Sequence, residues 1–200
     1  MGAFVNPRFA PAPRDGCDGA HAPVAIVGAG PVGLALAIDL AQRDIPVVVL
    51  DDDDTVSVGS RAICWSKRTL EIFDRLGVGE DVAAKGVQWQ TGRVFFGERE
   101  VFHFDLAPES GYRRPPFVNL QQYHVESMLV ARARALPCCT LRFGHRCTGV
   151  ELRTSGVRVT VDTAGGAYAF DCDWLVACDG ARSTVRQALG LEAKGRAFDD

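Results

Sequence analysis

Three glycines in the spacing Gly28-x-Gly30-x-x-Gly33 are the first residues in this chain whose types could do chemistry. They follow a short apolar run, Val24-Ala25-Ile26-Val27, and precede Pro31 and a stretch almost uniformly apolar from Val32 to Leu40. A strand that enters a tight glycine turn and leaves as a helix brings unpaired backbone N–H groups and the positive end of a helix dipole to one point, which suits a pyrophosphate. Gly28 permits the turn, Gly30 lets a phosphate approach the backbone, and Gly33 lets the helix pack close to the strand. Pro31 fits the first helical position, where a missing N–H costs nothing. A second apolar run, Val47-Val48-Val49-Leu50, ends on Asp51, at the distance where an acid meets a ribose hydroxyl pair. Asp52, Asp53 and Asp54 continue the run as a solvated acidic loop, with Asp52 the neighbouring alternative for the ribose role. Gly28, Gly30, Pro31, Val32, Gly33, Asp51 and Asp52 are therefore expected to bind a dinucleotide.

Elements of known period must hold these residues in place. The runs 24–27 and 47–50 read as strands buried on both faces. Ser66 is a candidate N-cap for a helix to Leu76, with Leu70, Phe73 and Leu76 on one face and Gly77 as its stop. Residues 87–106 contain Val94-Phe95-Phe96, Gly97-Glu98 and Val101 to Phe104, a β-hairpin pattern. A helix is expected over 122–136, with Val125, Leu129, Ala133 and Leu136 in one stripe and Pro137 ending it. Short strands follow at 141–143, 149–152, 157–161 and 168–170, with a turn at Gly165-Gly166. A separate buried strand, Trp174 to Cys178, ends at Asp179-Gly180, and a helix is expected from Ser183 to Leu189. Residues 1–22, rich in Pro, Gly and Ala, read as a flexible lead-in, and residues 195–200 carry no terminating element, as if the chain stopped within a longer fold.

Composition narrows the function classes. A net charge of −3 argues against a nucleic-acid or anionic membrane surface. No run approaches the roughly 18 apolar residues of a membrane span, and no apolar segment follows Arg8 and Arg14 to make a secretory signal. The cysteines number seven, an odd count without a CxxC pair, which suits reduced, buried thiols in the cytoplasm rather than disulfides. His21, His103, His124 and His145 stand at no metal-ligand spacing from them, so no metal is expected.

The glycine motif alone does not separate FAD from NAD. Gly28 to Gly33 with Asp51, then Arg61-Ala62, then Gln122-x-x-x-Glu126-x-x-Leu129, then Cys178-Asp179-Gly180-Ala181-Arg182-Ser183-x-Val185-Arg186, resemble the ordered landmarks of the class A flavoprotein aromatic hydroxylases, of the 3-(3-hydroxyphenyl)propionate and para-hydroxybenzoate hydroxylase types. The resemblance runs from residue 24 to about residue 200. It implies FAD as cofactor, NADH or NADPH as co-substrate, O₂, and a small phenolic substrate of aromatic catabolism; a homodimer is carried beside it as an assembly that the sequence does not decide. Arg61 would pair with the pyrophosphate or the ribityl oxygens, Gln122 would bond the ribityl chain, and Asp179-Gly180 would form a second fingerprint near the pyrophosphate. The implied fold is α/β: a Rossmann-like FAD-binding domain over 23–200, with 87–120 contributing the β-rich start of an interleaved substrate domain, a truncated para-hydroxybenzoate hydroxylase-like fold. The family's third fingerprint, a later Gly-Asp pair, is absent from these 200 residues. No catalytic acid or base is singled out. The alternatives are another flavin-dependent oxidoreductase of the same fold, a reductase or dehydrogenase, and a non-catalytic dinucleotide-binding module. The Trp-x-Trp-x-Ile segment of a halogenase is not present.

Overall fold

The computed structural model describes residues 5–14, 16–59, 61–106 and 111–195. The chain divides into two compact units, one of Met1–Val56 with Ala133–Asp200 and one of Ser57–Arg132. The first holds β1 (His21–Val27), α1 (Pro31–Ala41) and β2 (Val47–Asp51). The second holds β3 (Cys64–Ser66), α2 (Lys67–Leu76), α3 (Gly79–Lys85), β4 (Val87–Trp89), β5 (Thr91–Phe96), β6 (Arg99–Asp105), β7 (Phe117–Asn119) and most of α4 (Gln122–Arg134). The chain then returns to the first unit through β8 (Cys139–Phe143), β9 (Arg146–Arg153), β10 (Gly156–Asp162), β11 (Tyr168–Ala177) and α5 (Thr184–Ala188).

The first unit is built on one six-stranded sheet in the order β8-β2-β1-β11-β10-β9. The strands β8, β2, β1 and β11 are mutually parallel, and β10 and β9 continue the sheet antiparallel. The uninterrupted apolar runs of β1 and β2 follow from burial on both faces. On one face Val24, Ile26, Val47 and Val49 pack with Ala37 and Ala41 of α1. On the other, Ala25, Val27 and Leu50 join Val159, Val161, Phe170 and Cys172. A residue such as Ile26 or Leu34, fully removed from water, contributes roughly 1.5–3 kcal/mol.

Two expectations are corrected here. Tyr168 to Ala177 forms one ten-residue strand, not two. It is held without a break by parallel pairing to β1 from His21↔Asp171 to Val27↔Ala177. Trp174 in this strand is 72% exposed rather than buried, and it lies beyond Val157↔Cys172, where the antiparallel register with β10 ends. The described part of the lead-in is packed, not loose. Phe9 is buried, its ring stacks 4.3 Å from Phe143, and the Arg134 guanidinium lies 4.6 Å from its centroid. The Ala12 carbonyl accepts from Nε2 of the buried His145 at 2.9 Å. One aromatic anchor and a few hydrogen bonds thus hold a proline-rich segment that cannot build a ladder of its own. Residues 196–200, the end of the stretch read as unterminated, lie outside the described residues.

In the second unit Ser66 caps α2 through its hydroxyl, which accepts from Thr69 N–H at 3.4 Å, and Gly77 ends the helix at φ +83. The next helix, α3, and the short strands β3, β4 and β7 lacked a periodic signal. The buried Arg114 anchors this region, donating through Nε to both Asp74 oxygens at 3.0 and 2.9 Å and through Nη2 to Glu80 at 3.0 Å. That guanidinium holds the Asp74 carboxyl below the usual carboxylate range. The β5–β6 hairpin turns at Gly97, φ +60, as its sequence suggests. The stripe Val125, Leu129 and Ala133 of α4 is fully buried, and the helix stops at Arg134, short of Leu136. Among the described residues no helix is long and apolar enough to cross a membrane.

Candidate dinucleotide site

At the end of β1 the chain turns through Gly28, whose φ of +106 disfavours any residue with a side chain. Its N–H donates to the Leu50 carbonyl at 2.8 Å, and Cys178 N–H donates to Val27 at 2.7 Å. The carboxyl ends of β1, β2 and β11 are thereby tied together, the place where open α/β sheets bind ligands. A Cβ on Gly28 would lie 2.4 Å from the Cys178 carbonyl oxygen, and one on Gly33 only 1.9 Å from that of Gly28. Both glycines are demanded by the protein itself. Gly30 is different: its backbone is extended, with φ −73, and a Cβ there would meet nothing within 4 Å. Gly30 is also the N-cap of α1, with no side-chain cap, Pro31 behind it and no acid in the first turn. Val32 is 72% exposed on that turn. The arrangement is a bare helix N-terminus opening onto free space, the geometry that takes an anion.

Asp51 is the last residue of β2 and is hydrogen-bonded into the turn. Its Oδ2 accepts from Ala29 N–H at 2.5 Å and its Oδ1 from Asp53 N–H at 2.9 Å. Burial pushes its carboxyl up to about 6; the two N–H donors oppose that rise, and the charges of Asp52 and Asp53 add to it. The carboxylates of Asp51, Asp52 and Asp53 lie within 4.8 Å of one another, with Asp52 and Asp53 exposed. Asp51, not Asp52, therefore stands beside the glycines.

Asp179 follows β11, and its backbone nitrogen would lie 3.0 Å from a Cβ on Gly28. Its Oδ2 accepts from Val185 N–H at 3.1 Å, while Ser183 is the N-cap of α5, accepting from Arg186 N–H at 2.9 Å. Its Oδ1 is buried without a hydrogen-bond partner among the described residues. Such an acceptor costs about 1–3 kcal/mol until a donor reaches it. Gly180 next to it has φ +74 and open space around it. A ligand bearing hydroxyls beside a pyrophosphate fits both features, the uncrowded Gly30 turn and the unsatisfied Asp179 oxygen.

The second unit carries the remaining predicted residues. Arg61 is exposed in the loop before β3. Gln122 opens α4, its backbone N–H donating to Ala62 O at 3.1 Å and its Oε1 accepting from Ala62 N–H at 3.2 Å. Its Nε2 donates to Glu126 Oε1 at 2.7 Å, and Glu126 Oε2 accepts from Ser57 N–H at 2.6 Å. Within their own units the structure thus groups Gly28 to Gly33 with Asp51, Asp179 and Gly180, and Gln122 with the loop of Arg61. Glu126 served in the sequence only as a landmark. An acid within the apolar stripe of a helix, four residues after Gln122, was the available signal for its role.

A family model described as an FAD binding domain matches residues 21–199. Para-nitrophenol 4-monooxygenase of Pseudomonas sp. (strain WBC-3) is 34% identical over 181 residues, which are 88% of this chain and 44% of that protein. A 3-(3-hydroxy-phenyl)propionate/3-hydroxycinnamic acid hydroxylase of Mycobacterium sp. (strain JLS) is 30% identical over 172 residues, 86% of this chain and 30% of that protein. Among solved structures, p-nitrophenol 4-monooxygenase PnpA from Pseudomonas putida DLL-E4 superposes with a TM-score of 0.84 at 30% identity, covering 90% of this chain and 46% of that one. The flavin-dependent monooxygenase PieE, in complex with FAD and substrate, gives 0.79 at 28% identity, covering 88% and 33%. The chain spans less than half the length of each of these relatives.

Proposed function

This chain belongs to the FAD-binding domain family, and from that premise we propose that its intact protein is an FAD-dependent monooxygenase that hydroxylates a phenolic ring with NADH or NADPH and O₂. The carrying observation is the turn at Gly30, a residue whose missing side chain no protein atom requires, at an uncapped helix N-terminus. The names of the relatives, monooxygenases and hydroxylases of nitrophenol and hydroxyphenylpropionate, supply the reaction class.

In this reading Gly28, Gly30, Pro31, Val32 and Gly33 receive the pyrophosphate, and Asp51, with Asp52 next to it, faces the ribose of the adenosine half. Asp179 and Gly180 close the site from β11, and Arg61 and Gln122 serve the flavin side. FAD, when bound, supplies hydride acceptance and oxygen activation, while the protein binds, orients and excludes water. Asp51 is mostly ionised above about pH 6, with both oxygens acceptors; below it the carboxyl takes a proton and loses one. FAD affinity therefore falls as pH drops through about 6. Residues 87–120 would contribute to a substrate domain. The free cysteines support a reducing, cytoplasmic setting, and a homodimer is the assembly to test.

The testing experiment is the visible spectrum of the intact purified protein, then NAD(P)H consumption with a panel of phenols. Bands near roughly 375 and 450 nm with phenol-stimulated oxidation are expected. Flavin without phenol stimulation points to a reductase or dehydrogenase of the same fold, and flavin with no NAD(P)H turnover to a non-catalytic module. A colourless protein that takes up no added FAD overturns the reading.

A further inference from the structure

We propose that Glu126 is the positioning residue of the flavin-side half-site, fixing the orientation in which Gln122 meets the cofactor and clamping the loop that carries Arg61. The inference rests on the FAD reading above. Glu126 is 3% exposed, and Leu129 and Val130, one helical turn further on, are buried as well. A carboxylate in such surroundings is costly unless its oxygens are satisfied. Its partners are two neutral donors, Ser57 N–H at 2.6 Å and Gln122 Nε2 at 2.7 Å.

Donor and acceptor parity then determines the amide. A carboxylate only accepts, so the NH₂ of Gln122 must face Glu126. The Ala62 N–H only donates, so the Oε1 of Gln122 must face Ala62, as it does at 3.2 Å. The two constraints agree on one amide orientation, which leaves the second Nε2 hydrogen as the donor offered to a ligand oxygen. The same carboxylate clamps the segment around Arg61 at both ends: at Ser57 directly, and at Ala62 through Gln122.

Glu126→Gln breaks this parity. The new amide has one oxygen, which Ser57 N–H requires, so its NH₂ confronts the NH₂ of Gln122. Flipping Gln122 only moves the conflict to Ala62. The double exchange Gln122→Glu with Glu126→Gln restores every hydrogen bond inside the protein, because position 122 then accepts from both neighbours. It also removes the donor that faced the ligand.

The test compares the intact protein with Glu126→Gln and with the double exchange, reading urea midpoint and FAD dissociation constant by reconstitution of the apoprotein. Glu126→Gln is expected to lower the midpoint and weaken FAD roughly tenfold. The double exchange is expected to recover the midpoint while FAD stays at least roughly tenfold weaker. Recovery of FAD affinity together with the midpoint reduces Glu126 to a fold residue and overturns the proposal. So does a single variant that behaves as wild type, or a double exchange no more stable than the single one. If Glu126→Gln does not fold, the double exchange still decides. Wild-type protein that binds no FAD overturns the underlying reading and the proposal with it, and is told apart because the wild type itself then fails.

Discussion

At the turn between β1 and α1, residue identity is set by room: a Cβ on Gly33 would sit 1.9 Å from a carbonyl oxygen. At the head of α4 it is set by hydrogen-bond parity, since Gln122 and Glu126 are the sizes and polarities that satisfy Ala62 and Ser57. Backbone crowding is local and leaves a signature in the sequence, a spacing of glycines. Parity joins residues some 60 positions apart and leaves only an ordinary Gln and an ordinary Glu on a helix. The crowded glycines of the first region, Gly28 and Gly33, should therefore fail by loss of fold when changed, and the Gln122–Glu126 pair of the second by loss of orientation with a smaller loss of stability.

The largest effect is expected at Gly33. Gly33→Ala places a methyl against the Gly28 carbonyl and should cost more than about 4 kcal/mol, or prevent soluble expression. Urea unfolding of a Gly33→Ala protein that matches wild type would show the turn to be pliant and dissolve the contrast. Next comes Asp51. Its carboxyl titrates at about 6 in the folded protein against an ordinary 3.8, so the folded state keeps its proton longer than the unfolded chain. Its contribution to stability is fully present below about pH 3.8 and is lost as pH rises through about 6, on the order of 3 kcal/mol. Unfolding of the apoprotein from pH 4 to 7 should show that loss relative to Asp51→Asn; parallel pH profiles would contradict it. Gly30→Ala should change stability by less than about 1 kcal/mol, since its backbone conformation is open to alanine, yet weaken FAD at least roughly tenfold. Equal FAD affinity would mean that no phosphate approaches there. Smallest in stability is Arg61→Ala, within about 0.5 kcal/mol for an exposed loop residue, with FAD affinity reduced. A stability loss larger than that of Gly30→Ala would place Arg61 among the fold residues instead.

The strand–turn–helix–strand unit from Val24 to Asp51 could be read from the chain, because both faces of its strands are buried and Gly28 and Gly33 each answer a local steric demand; His21 and Ala22, read as lead-in, join β1 only through pairing with β11. The same holds for the Ser66 cap and the Gly77 stop of α2, which are contacts within a turn of the helix. The short strands β3, β4 and β7 could not be read, since at three residues each they acquire their conformation from pairing with one another. In the candidate site, Asp51 was legible as the acid ending a strand, but its separation from Asp52 needed the Ala29 hydrogen bond.

The sequence by itself determined the βαβ unit and the acid and glycines of its turn, since these depend on neighbours within a few residues and on periodicity, and its ordered landmarks from Gly28 to Arg186 carried the resemblance to the family. Only the tertiary structure decided that Phe9 and Ala12 pin the lead-in, that Trp174 faces solvent, and that Asp179 keeps a buried oxygen without a partner among the described residues. It alone revealed Glu126 beneath Gln122 and Ser57. Each of these depends on which distant segment comes to lie alongside, and a one-dimensional pattern of polarity does not encode that distance.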